Sequence, residues 1–401
     1  MNNSLVTVII PFHNARQTIR AALDSVLSQT YENLEIILID DGSSDGSGEL
    51  ADKLSSASLR EGRIVKVLHQ EDLGVSVSRN QGILAAEGGY ITFLDADDTM
   101  DSGMIAYLMR LLRETGADIA GCGFQSVSVK EPPEEIPEPD AGEKIPHRLL
   151  QGSEIAREII VRHDTRVWSK LFTRKTALSA RFQEGLTIGE DMLYVLSCAG
   201  PETKYAAAAA PLYHYTVNPE GAMNRPFTRS YMDQLRCWTL ALSGIEAVFP
   251  ELLQDREFCA SLGSVQAVSA VLAASKISLL PEKERRAFAD CLRTCREYIK
   301  DALAKPGVRG KLPAGYGTIR GTIPFLPCKA SARRIRFMVQ NPRDMTDSPV
   351  PFMPGGGIFN QRNPLQELMI FILFPVRGGK SRFNCRLRAH KKNIPDIIDA
   401  G

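Results

Sequence analysis

The run Leu34–Asp40 is apolar but for Glu35, rich in isoleucine and leucine, and ends in acid. A run of this kind reads as a strand buried on both faces, which is the habit of parallel sheets. Such a strand needs helices over each face, and its neighbours supply them. Val6–Pro11 is a short β-branched strand. Ala15–Ser28 has helical spacing, with Ile19, Leu23, Val26 and Leu27 on one face and Asn14 as N-cap. Gly42–Gly48 is a turn-rich loop before a short helix to Ser56. Ile64–His69 and Tyr90–Leu94 read as strands, and Asp118–Val129 is strand-like. Val75–Ala86 and Met100–Thr115 read as helices. This βαβα rhythm predicts an α/β fold with a mostly parallel sheet flanked by helices.

The texture changes at Glu131–Pro139, where four prolines and four glutamates mark a surface loop. Ser153–Val161, Thr187–Gly200, Met232–Val248, Glu251–Leu280 and Glu282–Leu303 are predicted helices. After Lys305 periodicity fades, and glycine and proline become frequent. We therefore expect an α/β domain over 1–225, its halves at about 1–130 and 140–225. A helical region over 226–303 and a basic extension over 304–401 follow.

Charge separates these regions. Ala302–Gly401 carries 17 Lys/Arg against 5 Asp/Glu, so +12 against −11 for the rest of the chain. An anionic membrane surface is the expected partner of that basic tail. Nucleic acid is not expected, because aromatic residues do not interleave the basic ones. The sequence holds no run of the ~18 apolar residues that a spanning helix requires, and Leu365–Val376 is the nearest approach. The eight cysteines form no CxxC pair, and Cys291 and Cys295 lack histidines to complete a zinc site. They read as reduced packing thiols. A cytoplasmic protein, peripheral at the inner face of the cell membrane, is the expectation.

Open α/β sheets bind ligands at the C-terminal ends of their strands. Those ends carry Pro11-Phe12-His13-Asn14, Asp40-Asp41-Gly42-Ser43 and Asp95-Ala96-Asp97-Asp98. Asp95 and Asp97, two apart beyond a buried strand, repel one another. A hard divalent cation, Mg²⁺ or Mn²⁺, resolves that repulsion and shares its shell with substrate phosphates. The plainer reading is an acidic turn, with Asp98 and Thr99 capping the next helix. No GxGxxG follows the first strand, and GxSxG and HExxH are absent.

Taken in order, these segments resemble the family 2 inverting glycosyltransferases, which have the GT-A fold. The resemblance lies in VTVIIPFHNARQTIRAALDSVLSQTYENLEIILIDDGSSDGS, HQEDLGVSVSRNQGILAAEGGYITFLDADD, WSKLFTRK and GEDMLYVL. It covers roughly the first 225 residues. It implies Pro11 and Asn14 beside the nucleotide base and ribose, with Asp41 bonded to the base of a UDP-sugar. It implies Arg79 near the nucleotide, Asp95 facing ribose and metal, and Asp97 on the metal. It implies Asp191, after Gly189-Glu190, as general base. Trp168, Lys170 and Glu190 would line the acceptor side, where a saccharide or lipid-linked acceptor binds. Four positions depart from the family pattern. Asp72 stands for a common Asn, Ser78 for Ala, Thr216 for Arg and Gly221 for Ser. The pyrophosphate contacts of the late segment Tyr213–Pro219 are thereby in question, and His214 is either a participant or a packing residue.

The expected activity is transfer of the sugar with inversion in surface-polysaccharide synthesis. The competing readings are a nucleotidyltransferase, which wants a Gly-rich basic loop after the first strand, and a catalytically silent subunit that binds nucleotide sugar or scaffolds an assembly. Phe12–Ala15 offers no such loop, and the Asp95, Asp97 and Asp191 set argues against silence.

Overall fold

The computed structural model describes residues 4–60, 64–127, 144–217 and 226–305. All of these belong to one compact unit. Most of the basic extension, with its Leu365–Val376 run, lies outside the described residues, as do the Glu131–Pro139 loop and Gly221.

The first half alternates β1 (Val6–Phe12), α1 (Ile19–Leu27), β2 (Leu34–Asp41), α2 (Ser47–Arg60), β3 (Ile64–Gln70), α3 (Val75–Ala85) and β4 (Tyr90–Phe93). There follow β5 (Thr99–Met100), α4 (Met104–Thr115), β6 (Ile119–Gly121) and β7 (Phe124–Val127). The second half adds β8 (His147–Gln151), α5 (Ser153–Val161), β9 (Lys170–Thr173), α6 (Arg174–Leu178), α7 (Glu190–Cys198), β10 (Lys204–Ala208) and β11 (Tyr213–Thr216). Four helices close the described chain: α8 (Asp233–Val248), α9 (Arg256–Leu279), α10 (Glu282–Arg286) and α11 (Ala289–Ala304).

Eight strands form one sheet in the order β3-β2-β1-β4-β9-β6-β10-β8. Strands β3, β2, β1 and β4 are mutually parallel, and β6 pairs parallel with β10. Only β9 and β8 run against their neighbours. A second sheet, β5-β11-β7, sits beyond the end of β4.

Alternation along the central strands sorts two cores. Val8, Ile10, Ile36 and Leu38 pack with α1 and α4 residues such as Leu23 and Leu108. Ile9, Ile37, Ile39 and Phe93 face the opposite way, toward Tyr194, Ala241 and Phe258. With both faces covered, every residue of β1 and β2 is buried. Gly82 lets α3 lie close on that second face, since a Cβ there would stand 2.5 Å from an Ile9 methyl. The helical region packs into this same core: Cys237, Ile245 and Leu262 share the cluster with Ile155 and Val195.

Some expectations are corrected. Asn14 does not cap α1, which begins at Ile19 with Thr18 in the cap position. Asn14 instead adopts a left-handed backbone, φ 53°, because its side chain is spent on the next loop. The predicted Met100–Thr115 helix starts at Met104, since Thr99–Met100 pairs with β11. Asp118–Val129 is two short strands in different sheets, β6 and β7. By length and composition α9 is apolar enough to cross a bilayer, with mean hydropathy 1.5. Serine and alanine spread its apolar residues around the helix, so the sequence shows no long unbroken run. That window is 72% buried inside the protein, as for a core helix.

Candidate active site

Three loops meet at the C-terminal ends of β1, β2 and β4, and α7 closes the site from the other half. At the first loop, Pro11 is buried in β1. His13 Nδ1 donates to the Asp41 carbonyl at 2.7 Å, which leaves Nε2 to accept from Asn14 Nδ2 at 2.8 Å. Asn14 then ties down the β2 loop, accepting from Ser44 N at 2.8 Å, while its own N–H reaches Ser43 Oγ at 2.9 Å.

Asp41 is drawn inward. Its Oδ1 accepts from Gln70 Nε2 at 2.6 Å and Leu73 N at 2.9 Å, and its Oδ2 accepts from Gly74 N at 2.9 Å. It thus shapes the turn into α3, and any base contact must use a remaining lone pair. Neighbouring Asp40 meets His69 Nδ1 at 2.9 Å and accepts from Ser43 N at 3.0 Å. Burial opposes its ionisation, but these bonds win and hold the carboxyl below its usual range.

After β4 the chain turns, closed by Asp98 N–H to the Asp95 carbonyl at 3.0 Å. Extended geometry has ended by then, so Asp95, Asp97 and Asp98 take different surroundings. Asp97 is exposed at the edge of the turn, but protein crowds its carboxyl on the inner side. That loss of water first, and then the Asp95 charge, raises its pKa. Asp98 is buried, accepting from Tyr213 Oη at 2.8 Å and Thr216 N at 2.7 Å. Burial first, then the Asp95 charge, pushes it up to about 8. Asp98 therefore does not cap α4; Asp101 turns the chain there, accepting from Gly103 N at 2.9 Å.

The two halves are joined by Arg79 of α3. Its guanidinium is buried and donates to Asp95 Oδ1 at 2.9 Å, Glu190 Oε1 at 3.0 Å and Asp191 Oδ1 at 2.7 Å. Among the described residues its Nε is buried without a partner, and the Phe182 ring lies 5.3 Å away. Arg79 thus holds the acidic turn and the first turn of α7 in one cluster. Among the described residues Asp191 Oδ2 accepts only a long bond, from Val167 N at 3.3 Å. Burial raises the Asp191 carboxyl to about 7, against the pull of Arg79. A carboxyl with that value, on a helix start, with one weakly engaged oxygen, is equipped to take a proton.

Val167 belongs to a loop bounded by two left-handed residues, His163 (φ 60°) and Ser169 (φ 63°). Lys170 is only 1% exposed, and its Nζ donates to Asp164 Oδ1 at 2.6 Å and the Arg166 carbonyl at 2.7 Å. Its ammonium braces the loop. Trp168 is buried too, stacked on Tyr213 at 4.3 Å. His214 points from the other side of β11, its Nδ1 3.4 Å from Thr99 Oγ1, and burial lowers its pKa. Sequence reasoning missed Asp98, Tyr213, Asp164 and Arg166 as parts of this assembly. Asp98 was visible in the acidic run; Asp164 and Arg166 had no signal beyond standing just before Trp168.

The fold is of the GT-A kind, an α/β sheet with its candidate site at the ends of the parallel strands. The chain belongs to glycosyl transferase family 2, whose profile matches residues 7–170. It is 32% identical over 238 residues to the uncharacterized glycosyltransferase EpsJ of Bacillus subtilis (strain 168), covering 58% of this chain and 67% of that one. Glycosyltransferase GlyA of Streptococcus pneumoniae serotype 4 (strain ATCC BAA-334 / TIGR4) is 29% identical over 241 residues, 57% of this chain but 33% of its own length. Among solved structures, S. aureus TarS 1–349 in complex with UDP shares the fold, with TM-score 0.50 and 19% identity. That match covers 74% of this chain and 88% of the TarS chain.

Proposed function

We propose that this glycosyltransferase uses a nucleotide diphosphate donor, a UDP-sugar, and inverts the anomeric centre. Its acceptor is a saccharide or lipid-linked sugar in cell-surface polysaccharide synthesis. The observation that carries this reading is the Arg79 cluster. One buried cation ties the acidic turn of Asp95 and Asp97 to Asp191. Donor and acceptor chemistry thereby share one rigid frame.

Asp191 Oδ2 takes the proton of the acceptor hydroxyl as that oxygen attacks, in a single displacement. Arg79 keeps the carboxylate oriented and balances its charge beforehand. The rim of Pro11, Asn14 and Asp41 receives the nucleoside. The donor set at the acidic turn suits a hard cation. Burial first and then the Asp95 charge oppose ionisation of Asp97, and a cation there would offset both. Among the described residues no three acidic, histidine or cysteine side chains form a complete metal set. Diphosphate oxygens and water would supply the other ligands. Bound Mg²⁺ or Mn²⁺ would offset the charge growing on the diphosphate leaving group. TarS, of the same fold, was solved with UDP.

Asp97→Ala tests this directly. Sugar transfer is expected to fall below detection, with the thermal unfolding midpoint kept, because Asp97 makes no ion pair among the described residues. Wild-type turnover by that variant in excess chelator would remove the metal role.

We also propose cytoplasmic residence with attachment to the inner membrane face, resting on the +12 charge of Ala302–Gly401. Each basic residue near an anionic leaflet contributes on the order of 1 kcal/mol, screened by salt. The full chain should pellet with phosphatidylglycerol vesicles at low salt and release at high salt, and a chain cut after Leu303 should stay in solution. Equal sedimentation of both would end that idea.

A further inference from the structure

The loop that carries Val167 holds a cation, Arg166, whose one ion pair among the described residues is long, 3.4 Å to Asp164. Asp164 accepts from Lys170 Nζ at 2.6 Å and Tyr205 Oη at 2.6 Å, and at 3.4 Å from Arg166 Nη2. Two cations share one carboxylate, and Lys170 has the short contact. The Arg166 guanidinium is left with that long bond as its one polar contact among the described residues, where its Nε is buried without a partner. Its side chain is 29% exposed. A guanidinium so little engaged, with part of its water removed, gains from an oxyanion that can meet its planar fork.

An aromatic wall stands beside it. The guanidinium lies 4.4 Å from the Phe124 ring and 5.1 Å from the Trp168 ring. Trp168 is in turn stacked with Tyr215 at 5.9 Å, 15° from parallel, and Tyr215 is 40% exposed. The exposed Tyr215 ring, with buried Trp168 behind it, presents a face that suits the C–H side of a sugar ring. The wall also adjoins the reacting groups. Val167, next to Arg166, donates to Asp191, and Tyr213, under Trp168, donates to Asp98.

We propose that Arg166, with Trp168 and Tyr215, forms an acceptor subsite for a sugar that bears an oxyanion, a phosphate or a carboxylate. The guanidinium meets the anion while the ring lies along the aromatic wall, with its hydroxyl toward Asp191. This rests on the transferase reading only for what lies at Asp191; the anion site itself can be measured separately.

The chain has two tryptophans, Trp168 and Trp238, so quenching of intrinsic fluorescence reports the wall. Full-length protein is titrated with glucose, glucose 1-phosphate, glucuronate and inorganic phosphate, with and without saturating UDP and Mn²⁺. Occupying the donor site keeps sugar phosphates out of it. Glucose 1-phosphate or glucuronate should bind at least about tenfold more tightly than glucose, as expected for a charge-assisted fork. The better of the two names phosphate or carboxylate as the group read. Inorganic phosphate alone should bind more weakly than the sugar phosphate. Arg166→Gln should erase the preference, and Arg166→Lys should keep part of it, both with UDP affinity unchanged. Equal affinity of the wild-type chain for glucose and both anionic sugars overturns the proposal, as does an unchanged preference in Arg166→Gln. Should Arg166→Gln fail to fold, the wild-type comparison and Arg166→Lys still decide. Failure of UDP to bind would instead count against the donor reading, and the titrations without UDP would still judge Arg166.

Discussion

Arg79→Met is expected to remove activity and to lower stability by about 3–5 kcal/mol at pH 7, the usual result of stripping one partner from a buried ion cluster. Three carboxylates, Asp95, Glu190 and Asp191, would be left facing one another without their cation. The deficit should depend on pH. In the intact protein Asp191 already binds its proton more tightly folded than unfolded, at about 7 against an ordinary 3.8. A group shifted upward stabilises the fold fully below its unfolded value and loses that contribution as pH rises through the folded one. Without Arg79, whose charge pulls it down, the Asp191 carboxyl should shift further upward. The variant should therefore recover part of its loss as pH falls from 7 toward 5. Urea unfolding at the two pH values reads this. An equal deficit at both would mean that Arg79 acts by packing against Phe182 rather than by charge.

Asp191→Asn is expected to lower kcat by about 10²–10⁴-fold, the range for losing a general base. Donor affinity should stay within a factor of about two, since the base acts on the acceptor. The amide can still accept from Arg79, so the cluster survives with one charge fewer. Calorimetry with UDP separates the cases: an affinity loss matching the rate loss would make Asp191 a donor or structural contact. The anomeric configuration of the product, read by NMR, should be inverted, and a retained configuration would reject single displacement.

Much of this was legible in the chain because the strands announce themselves. Leu34–Asp41 is buried at every position, and its apolar run said so; α5 begins and ends where its periodicity does. The acidic turn and the α7 start were legible as motifs. What was not legible is partnership across long separations. Arg79 and Asp191 stand 112 positions apart, and no local pattern says that an arginine in the Ser78-Arg79-Asn80 stretch will be buried among carboxylates. Asn14 misled for a related reason: its helix-capping chemistry was real, but Ser43 and Ser44 came near enough to use it first. Lys170, which the resemblance sets on the acceptor side, has its ammonium engaged by Asp164 six positions earlier, a pairing that no motif signals.

Donor binding tests the central reading most directly. Calorimetry on the full chain should show UDP binding in Mn²⁺ or Mg²⁺, strongly weakened by chelator and by Asp97→Ala. One UDP-sugar from a panel should then release UDP in a metal-dependent way. A chain that binds UDP equally well in chelator, or that binds no nucleotide diphosphate at all, would contradict it.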